Sequence, residues 1–455
     1  MGREPLTLPP RSGIARWLAR QPPGLRRIAN SIGWLGLENA VRMTTGLVVG
    51  IYVARHLGPA GFGVISYATA LMLIGTALSR MGLQEVVTRD LVLDASARNL
   101  TLGSAFALRM SGALMAYGAL LAYGLQITGE PEKRLAVLVI GAGVLAQPFD
   151  MASTWFQARQ RLAPVVLAHL GGVISCAALR IGFVLTDQPL IWFVWPATAE
   201  IAIGSALVMV AYGRTAGSPL HWRVSGVRLR ALLAAAPPLA LASATSELYL
   251  RLPQVLIVHL HGTAAAGQYA VALRLSEALY FLPVIVCTAL FPVMVRSVAR
   301  GGGHYAQRME ALYAVMLWGG LAIATPLSLL APWLIGLLFG PDYAAASEVL
   351  RIHAWSLPVV GLSLARGRAL IAEGLVRFNL LVHVVNLILT LVLAWLLIPP
   401  LGAVGAAWAA VVPRLVSAVA LNFAFARTRE QGFLMCRAVL APVRVLGGLR
   451  RRRGL

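Results

Sequence analysis

The sequence is poor in charge for its length, and lysine is almost absent from it. Of its 455 residues, 12% are charged and 17 are acidic, and the single lysine, Lys133, accompanies 38 arginines. A typical soluble domain has about 25% charged residues. With 58% hydrophobic residues and a mean hydropathy of +0.76, the chain is too apolar for a soluble domain and has the composition of a membrane protein.

The sequence also lacks the residue patterns of a metal site, a nucleotide site or an enzyme. Its three cysteines, Cys176, Cys287 and Cys436, are scattered, which excludes a disulfide framework. No histidine pair has ligand spacing on one helical face together with carboxylates, and there is no nucleotide-binding loop. We therefore expect no metal, no cofactor and no enzymatic activity.

Twelve stretches of the sequence are apolar and long enough to cross a bilayer, which takes about 20 helical residues. We number them spans 1 to 12. A further apolar stretch, Trp333–Phe339, has seven residues and is too short to cross. The predicted spans are Ile32–Ala54, Val64–Val87, Leu100–Gln126, Leu135–Phe156, Leu162–Leu185, Leu190–Tyr212, Ala231–Leu260, Ala265–Val295, Met309–Leu330, Glu348–Ala365, Phe378–Ile398 and Gly402–Ala426.

The positive charges alternate between the loops that join these spans. Of the 39 basic residues, 28 fall in the two ends of the chain and in every second loop, three in the alternate loops and eight inside the spans. By the positive-inside rule, both termini and the loop between spans 6 and 7 are cytoplasmic. The predicted organisation is a basic cytoplasmic tail (1–31), a six-helix lobe (32–213), a cytoplasmic linker (214–230), a second six-helix lobe (231–426) and a second basic tail (427–455).

The net charge of +22 follows from this topology, because cytoplasmic loops of membrane proteins are rich in basic residues. We therefore predict that the chain does not bind nucleic acid. The same basic segments attract anionic membrane lipids, which are expected partners.

Two pairs of segments repeat at nearly the same offset. Leu57–Gly63, between spans 1 and 2, matches His261–Gly267, between spans 7 and 8, at an offset of 204 residues. In spans 5 and 11, His169 matches His383 at an offset of 214. Because six helices separate the copies, the two lobes have one orientation and form a parallel repeat about an axis along the membrane normal. Transporters built from such repeats bind substrate near the middle of the membrane, between the halves.

Arginines inside the spans are costly unless they face a polar cavity or a carboxylate. Three of the eight are shallow enough to reach the membrane surface and are interpreted as structural, namely Arg80, Arg180 and Arg351. The other five lie about seven or more residues from the ends of their spans, which is roughly 10 Å deep at 1.5 Å per residue. These candidates for lining a cavity are Arg42, Arg109, Arg251, Arg274 and Arg414.

Carboxylates inside the spans offer a second interpretation, in which the deep arginines only balance charge. Pairs three or four residues apart share a helix face and can neutralise each other. The predicted pairs are Glu38 with Arg42 on span 1, Glu247 with Arg251 on span 7, and Arg274 with Glu277 on span 8. Glu200 stands alone in span 6. The candidates for ion coupling or charge balance are Glu38, Glu200, Glu247 and Glu277.

Three segments together resemble one family of membrane proteins. The segments are Tyr52–Ala68 (YVARHLGPAGFGVISYA), Ala266–Glu277 (AGQYAVALRLSE) and Ile398–Ala409 (IPPLGAVGAAWA). They resemble the bacterial polysaccharide flippases of the multidrug/oligosaccharidyl-lipid/polysaccharide exporter superfamily. The resemblance covers the start of each lobe and the turn between the last two spans.

This resemblance implies an all-α fold of two six-helix lobes that form a V and alternate its opening. It implies a cargo of undecaprenyl-diphosphate-linked oligosaccharide, moved from the inner to the outer leaflet of the bacterial cytoplasmic membrane for polysaccharide export. A polysaccharide polymerase is a further candidate partner. The deep arginines suit such a cargo, because a diphosphate cannot enter hydrocarbon without cations to compensate its charge.

Two other functions compete with the flippase. An ion-coupled multidrug or metabolite antiporter of the same superfamily would favour cationic substrates, and its cavity would need carboxylates in excess of arginines. A membrane glycosyltransferase or polymerase would need acidic catalytic residues in sizeable outer loops. The longest outer loop, Ala331–Ser347, offers only Asp342, which makes this third function the weakest.

Overall fold

The computed structural model describes residues 23–287, 290, 305–373 and 375–441. Most of the two predicted basic tails therefore lies outside the described residues, as do residues 288–289 and 291–295 of span 8. The described part is helical throughout its length, with short connections.

The helices of the first half begin and end at proline and glycine residues in several places. Pro131 opens one helix, and Gly217, with a φ of 104°, follows the end of another. The helices of this half are Pro23–Arg80, Leu83–Leu93, Arg98–Gln126, Pro131–Gly141, Gly143–Ala146, Ser153–Ala158, Ala163–Leu185 and Leu190–Ala216, with a 3₁₀ turn at Gln147–Ala152.

The second half follows a 3₁₀ turn at Pro219–His221. Its α-helices are Gly226–Ala235, Pro237–Glu277, Tyr305–Leu329, Ala331–Phe339, Ala346–His353, Ser356–Ala372, Val376–Leu415, Leu421–Ala424 and Arg429–Val439. A π-helical segment, Val416–Ala420, interrupts the last long helix.

Eight helical stretches of the described chain are long and apolar enough to cross a membrane. Three of them contain a glycine with positive φ (Gly58, Gly262 and Gly402) at which two helices join. These three stretches carry spans 1 and 2, 7 and 8, and 11 and 12, so the eight stretches hold eleven spans. Ser356–Ala372, with 17 residues, carries span 10. The predicted fold class of about twelve membrane helices is confirmed.

The two lobes meet through a reciprocal contact that shows their two-fold relationship. A Cβ added to Gly63 would lie 1.8 Å from the carbonyl oxygen of Thr263, and one added to Gly267 would lie 2.0 Å from that of Pro59. The offset of 204 relates Gly63 to Gly267 and Pro59 to Thr263. Each lobe therefore presents the same glycine to the same position of the other, as a two-fold contact requires. The predicted parallel repeat is confirmed.

The cores of the protein show where the lobes pack together. One hydrophobic core contains residues of both lobes near the Gly58, Gly262 and Gly402 turns, including Val53 and Tyr269. At the opposite end, a core of the first lobe also contains Leu232 and Ala236 from the start of the second lobe, and a separate core lies within the second lobe. We call the first end the turn face and the other end, which carries the connection between the lobes, the linker face. The lobes therefore contact each other at both ends, and their larger shared core lies at the turn face.

Spans 2, 4 and 10 are among those that differ from their predicted bounds. Span 2 was expected to reach Val87, but its helix ends at Arg80 because Met81 and Gly82 have positive φ. Gly82 there packs so closely on Leu239 that an added Cβ would lie 2.6 Å from its Cβ atom. Span 4 is broken after Gly141 and again by the 3₁₀ turn at Gln147–Ala152.

Span 10 was expected at Glu348–Ala365, and its position is wrong at both ends. Residues Ala346–His353 form a separate amphipathic helix, in which Val349 and Leu350 are buried and Arg351 is exposed. The membrane helix itself is Ser356–Ala372. The polar residues of Ala346–His353 therefore belong to this separate helix and not to the membrane span.

The predicted linker and second tail are packed against the lobes. In the linker, Arg228 donates hydrogen bonds to Asp90 (2.9 Å) and to Thr101 (3.1 Å). In the tail, the helix Arg429–Val439 buries Leu434 and Met435 in the core of the second lobe. The lobe boundaries at 32–213 and 231–426 stay predictions.

Candidate functional site

A cavity of about 540 Å³ lies between the lobes. Spans 1 and 2 of the first lobe and spans 7 and 8 of the second provide its walls. Its charged lining consists of three arginines and one glutamate, which gives a formal net charge of +2. These residues are Arg42, Arg251, Arg274 and Glu277.

Arg42 enters the cavity from span 1 and forms ion pairs with two glutamates. Its guanidinium lies 3.3 Å from Glu38 and 3.3 Å from Glu200. The predicted pair with Glu38 is therefore present. Glu200 is not alone, as the sequence led us to expect, because it also accepts a hydrogen bond of 3.1 Å from Arg180. Arg42 nevertheless keeps 45% of its side chain exposed, so part of its charge faces the cavity.

Arg251, on span 7, has looser partners. Its guanidinium lies 3.7 Å from Glu247 and 3.9 Å from Glu277, distances that are too long for hydrogen bonds. The pair with Glu247 matches the prediction. The predicted pair between Arg274 and Glu277 is absent, because Glu277 faces Arg251 across the helices instead.

Arg274 has no carboxylate partner among the described residues. Its guanidinium lies over the ring of Phe62 in the first lobe, 5.2 Å from the ring centre. A cation on an aromatic face gains less than one in a charged hydrogen bond. Arg274 is therefore the cavity cation whose charge is least compensated.

The structure places the other two deep arginines outside the cavity lining. Arg109 is 1% exposed inside the first lobe, and its guanidinium donates to the Sδ of Met151 at 3.9 Å. Arg414 is 8% exposed, donates to the hydroxyl of Tyr280 (3.3 Å) and lies over the ring of Tyr249. Tyr280, which lines the cavity, connects Arg414 with it.

A second, smaller cavity of about 270 Å³ lies inside the first lobe. Its charged groups come from spans 1, 2, 4, 5 and 6, and it shares Arg42 with the central cavity. Its charged and titratable lining residues are Glu38, Arg42, Arg80, Asp150, His169 and Glu200.

His169 joins two carboxylates in this smaller cavity. Its Nδ1 lies 2.9 Å from Glu38 and its Nε2 lies 3.0 Å from Asp150. Neither His169 nor Asp150 was predicted from the sequence as a candidate site residue. The available signal was that Asp150 is a charged residue in apolar span 4, as costly there as any of the arginines.

Arg366 is a buried cation that the sequence assigned to a cytoplasmic loop. The helix Ser356–Ala372 contains it, and it is 3% exposed. It donates hydrogen bonds to the carbonyl oxygens of Ser417 and Ala418, inside the π-helical segment of span 12. A π-helix changes the backbone hydrogen-bond pattern of an α-helix, and Arg366 binds to two of the carbonyl groups there.

No group of three or more histidine, cysteine or acidic side chains within the described residues is arranged to hold a metal ion. The described charges form ion pairs and a cationic cavity. They are suited to binding an anion between the lobes.

Two membrane-embedded lobes around a central cavity define a multi-pass membrane transporter. A family model described as polysaccharide biosynthesis protein matches residues 28–298, which is more than half of the chain. The chain belongs to this family, and the predicted resemblance is confirmed. No curated protein matches the chain.

Solved structures share its fold at low sequence identity. The lipid II flippase MurJ in an inward closed conformation has a TM-score of 0.69 at 12% identity, covering 89% of this chain and 90% of that one. An inward-facing multidrug resistance MATE family transporter of the MOP superfamily has a TM-score of 0.67 at 14% identity, covering 86% and 94%. A MOP superfamily transporter from Pyrococcus furiosus, described as having a binding pocket of reverse polarity, has a TM-score of 0.55 at 15% identity, covering 88% and 95%.

Proposed function

We propose that this protein is a flippase for an undecaprenyl-diphosphate-linked oligosaccharide. It moves this lipid from the inner to the outer leaflet of the bacterial cytoplasmic membrane by alternating access, for polysaccharide export. Membership of the polysaccharide biosynthesis family supports this cargo class, and the fold is shared with a lipid II flippase.

The charge of the central cavity carries the proposal. Arg42, Arg251 and Arg274 come from both lobes and outnumber Glu277. A diphosphate headgroup between the lobes would receive charge-assisted hydrogen bonds from them, while the polyprenyl tail stays in lipid. Arg414 and Arg109 take no direct part in this binding.

The second candidate is the ion-coupled multidrug or metabolite antiporter, whose fold is equally compatible. A cationic drug would meet a net positive cavity, which disfavours its binding. The charge balance of the cavity therefore favours the flippase.

Ion coupling is assigned to the smaller cavity of the first lobe. An ionised carboxylate only accepts hydrogen bonds, and a neutral imidazole has one donor. His169 forms two hydrogen bonds, to Glu38 and to Asp150, and each of them needs a proton. A neutral imidazole between two ionised carboxylates supplies only one of these protons, so the three groups together must hold one more. This site holds a dissociable proton, and Arg42 connects it with the headgroup site. The other charged groups around it are Arg80, Arg180 and Glu200.

The direction of transport depends on the predicted topology, in which the linker face is cytoplasmic. Single cysteines at Thr128 and Asp342, near the turn face, should react with an impermeant reagent in intact cells. A cysteine at Ser218, in the linker, should react only after the cells are broken. Labelling of Ser218→Cys in intact cells would reverse the assigned direction.

The proposed activity is tested with purified protein in lipid vesicles that contain a fluorescent polyprenyl-diphosphate chitobiose in the inner leaflet. A lectin outside the vesicles should capture this glycan faster when the protein is present. If the glycan stays inside while the same vesicles transport tetraphenylphosphonium, the antiporter is the correct assignment.

A further inference from the structure

We propose that the space beside Gly50 in the first lobe, which we call the socket, binds the guanidinium of Arg274 from the second lobe. This contact, which we call the latch, holds the two lobes together at the turn face until an anionic headgroup draws Arg274 out of the socket. This inference rests on the proposed function, because the headgroup is the ligand that releases the latch.

The socket exists because residue 50 has no side chain. A Cβ added to Gly50 would lie 1.7 Å from Nη1 of Arg274 and 2.7 Å from its Cζ. Any other residue at position 50 would therefore displace the guanidinium. Arg274 belongs to span 8 and Gly50 to span 1, so this contact crosses the interface between the lobes.

A second wall of the socket is the ring of Phe62, two residues before span 2. The guanidinium lies 5.2 Å from the centre of this ring, and Phe62 is 3% exposed. Arg274 is thus held by a glycine backbone and an aromatic face of the first lobe. Phosphate oxygens bind a guanidinium by charge-assisted, bidentate hydrogen bonds, which are stronger than an aromatic face. A diphosphate in the cavity can therefore remove Arg274 from its socket.

The latch is present on one side of the two-fold axis only. The offset of 204 that relates Gly63 to Gly267 also relates Gly50 to Gln254 and Ala70 to Arg274. At the related positions, the small residue is Ala70 on span 2 and the larger residue is Gln254 on span 7. The repeat itself therefore does not require this contact, and Arg274 with Gly50 is a feature of this one interface.

The position of the socket connects headgroup binding with movement of the lobes. Gly50 lies eight residues before the Gly58 turn, about 12 Å along a helix, on the side where the lobes are joined. Withdrawal of Arg274 leaves an unfilled space between spans 1 and 8 and removes an attraction between the lobes. Loading of the cavity from the linker face thus weakens the contacts that keep the turn face closed.

The test uses spin labels at Leu185→Cys and Leu401→Cys, one on each lobe. Both side chains are exposed, and both lie near the turn face, where Gln188 contacts His56 and Ile398 contacts His261. The exposed native Cys436 is replaced by serine. The distance between the labels is measured by pulsed electron resonance in detergent, with and without farnesyl diphosphate.

Gly50→Ala is compared with Gly46→Ala, one helical turn away, where an added Cβ has nothing within 4 Å. Both changes raise helix propensity equally, but only the first displaces Arg274. Without ligand, Gly50→Ala should shift the label distances to longer values, and Gly46→Ala should match the wild type. Arg274→Gln, which empties the socket without crowding it, should give the same shift as Gly50→Ala.

In the wild type, farnesyl diphosphate should lengthen the distance between the labels by the same amount. In Gly50→Ala, where the distance is already longer, farnesyl diphosphate should not change it further. Wild-type distances in both Gly50→Ala and Arg274→Gln would overturn the latch. Calorimetry on the same samples separates the two claims. If the wild type binds farnesyl diphosphate without a shift, the latch is wrong and the proposed function stands. If it does not bind, the proposed function fails, and the release step fails with it.

Discussion

The two lobes share one arrangement of helices, but the charges of their buried cations are compensated differently. In the first lobe, Arg42 and Arg180 both contact Glu200, and His169 bridges two carboxylates. In the second lobe, three arginines rely on aromatic faces, a hydroxyl group and backbone carbonyl groups. These are Arg274 on Phe62, Arg414 on Tyr249 and Tyr280, and Arg366 on Ser417 and Ala418.

The repeat shows which carboxylates make this difference. The offset of 214 that relates His169 to His383 places Leu364 at the position of Asp150 and Arg414 at the position of Glu200. His383 accordingly contacts Ser246 (3.3 Å) and stacks on Tyr249, and no carboxylate of the described part of the chain pairs with it. Around Glu200 and His169, the first lobe thus pairs its cations with carboxylates. The second lobe supplies Arg274, whose charge a bound anion can neutralise.

The largest effect is expected from the least compensated cation. Arg274→Ala should lower the affinity for farnesyl diphosphate roughly 10- to 150-fold, because a charge-assisted hydrogen bond contributes about 1.5–3 kcal/mol. Arg274→Lys should retain part of the binding, since a point charge still attracts a phosphate. Calorimetry with purified, monodisperse protein measures both. Equal binding by wild type and Arg274→Ala would remove Arg274 from the site.

A smaller effect is expected from Arg42→Ala, because Glu38 and Glu200 already share its charge. Vesicle transport should fall in Arg42→Ala and should not recover in the double variant Glu38→Gln with Arg42→Ala. The matched pair in the second lobe is Glu247→Gln with Arg251→Ala. Full recovery of transport in both double variants would mean that these arginines only balance carboxylates, and the cationic-cavity mechanism would be wrong.

The smallest change concerns protons rather than affinity. When phosphate draws Arg42 away from Glu38, the loss of a neighbouring cation favours the protonated carboxyl, so proton uptake should accompany diphosphate binding. A pH-sensitive dye in weakly buffered solution should detect this uptake in wild type and in His383→Gln. It should be absent in Glu38→Gln. Uptake that persists in Glu38→Gln would move the proton site elsewhere.

Short-range features of the fold and the site could be predicted from the sequence. The twelve spans follow from apolar length, and the pair of Glu38 with Arg42 follows from helix periodicity. The repeat was visible because Gly63 and Gly267 must both lack a side chain at the contact between the lobes. Charge inside an apolar span also identified the cations that line the cavity.

Contacts between distant spans could not be predicted in this way. Glu200 lies 158 residues from Arg42, and Glu38 lies 131 residues from His169. These contacts depend on how spans 1, 4, 5 and 6 pack, which apolar patterns do not specify. Depth within a span also failed to separate Arg274, which lines the cavity, from Arg109, which is buried in a lobe. Whether a side chain faces the cavity or the interior of a lobe depends on how its helix is rotated about its own axis.

The central claim is that an anionic headgroup binds between the lobes. Its most direct test is competition between farnesyl diphosphate and tetraphenylphosphonium for the purified protein, at low and high salt. We predict saturable diphosphate binding that weakens with salt, as ionic contacts do, and that is lost in the triple variant of Arg42, Arg251 and Arg274 to glutamine. Tight binding of tetraphenylphosphonium that the triple variant leaves unchanged, with no diphosphate binding in the wild type, would contradict this account.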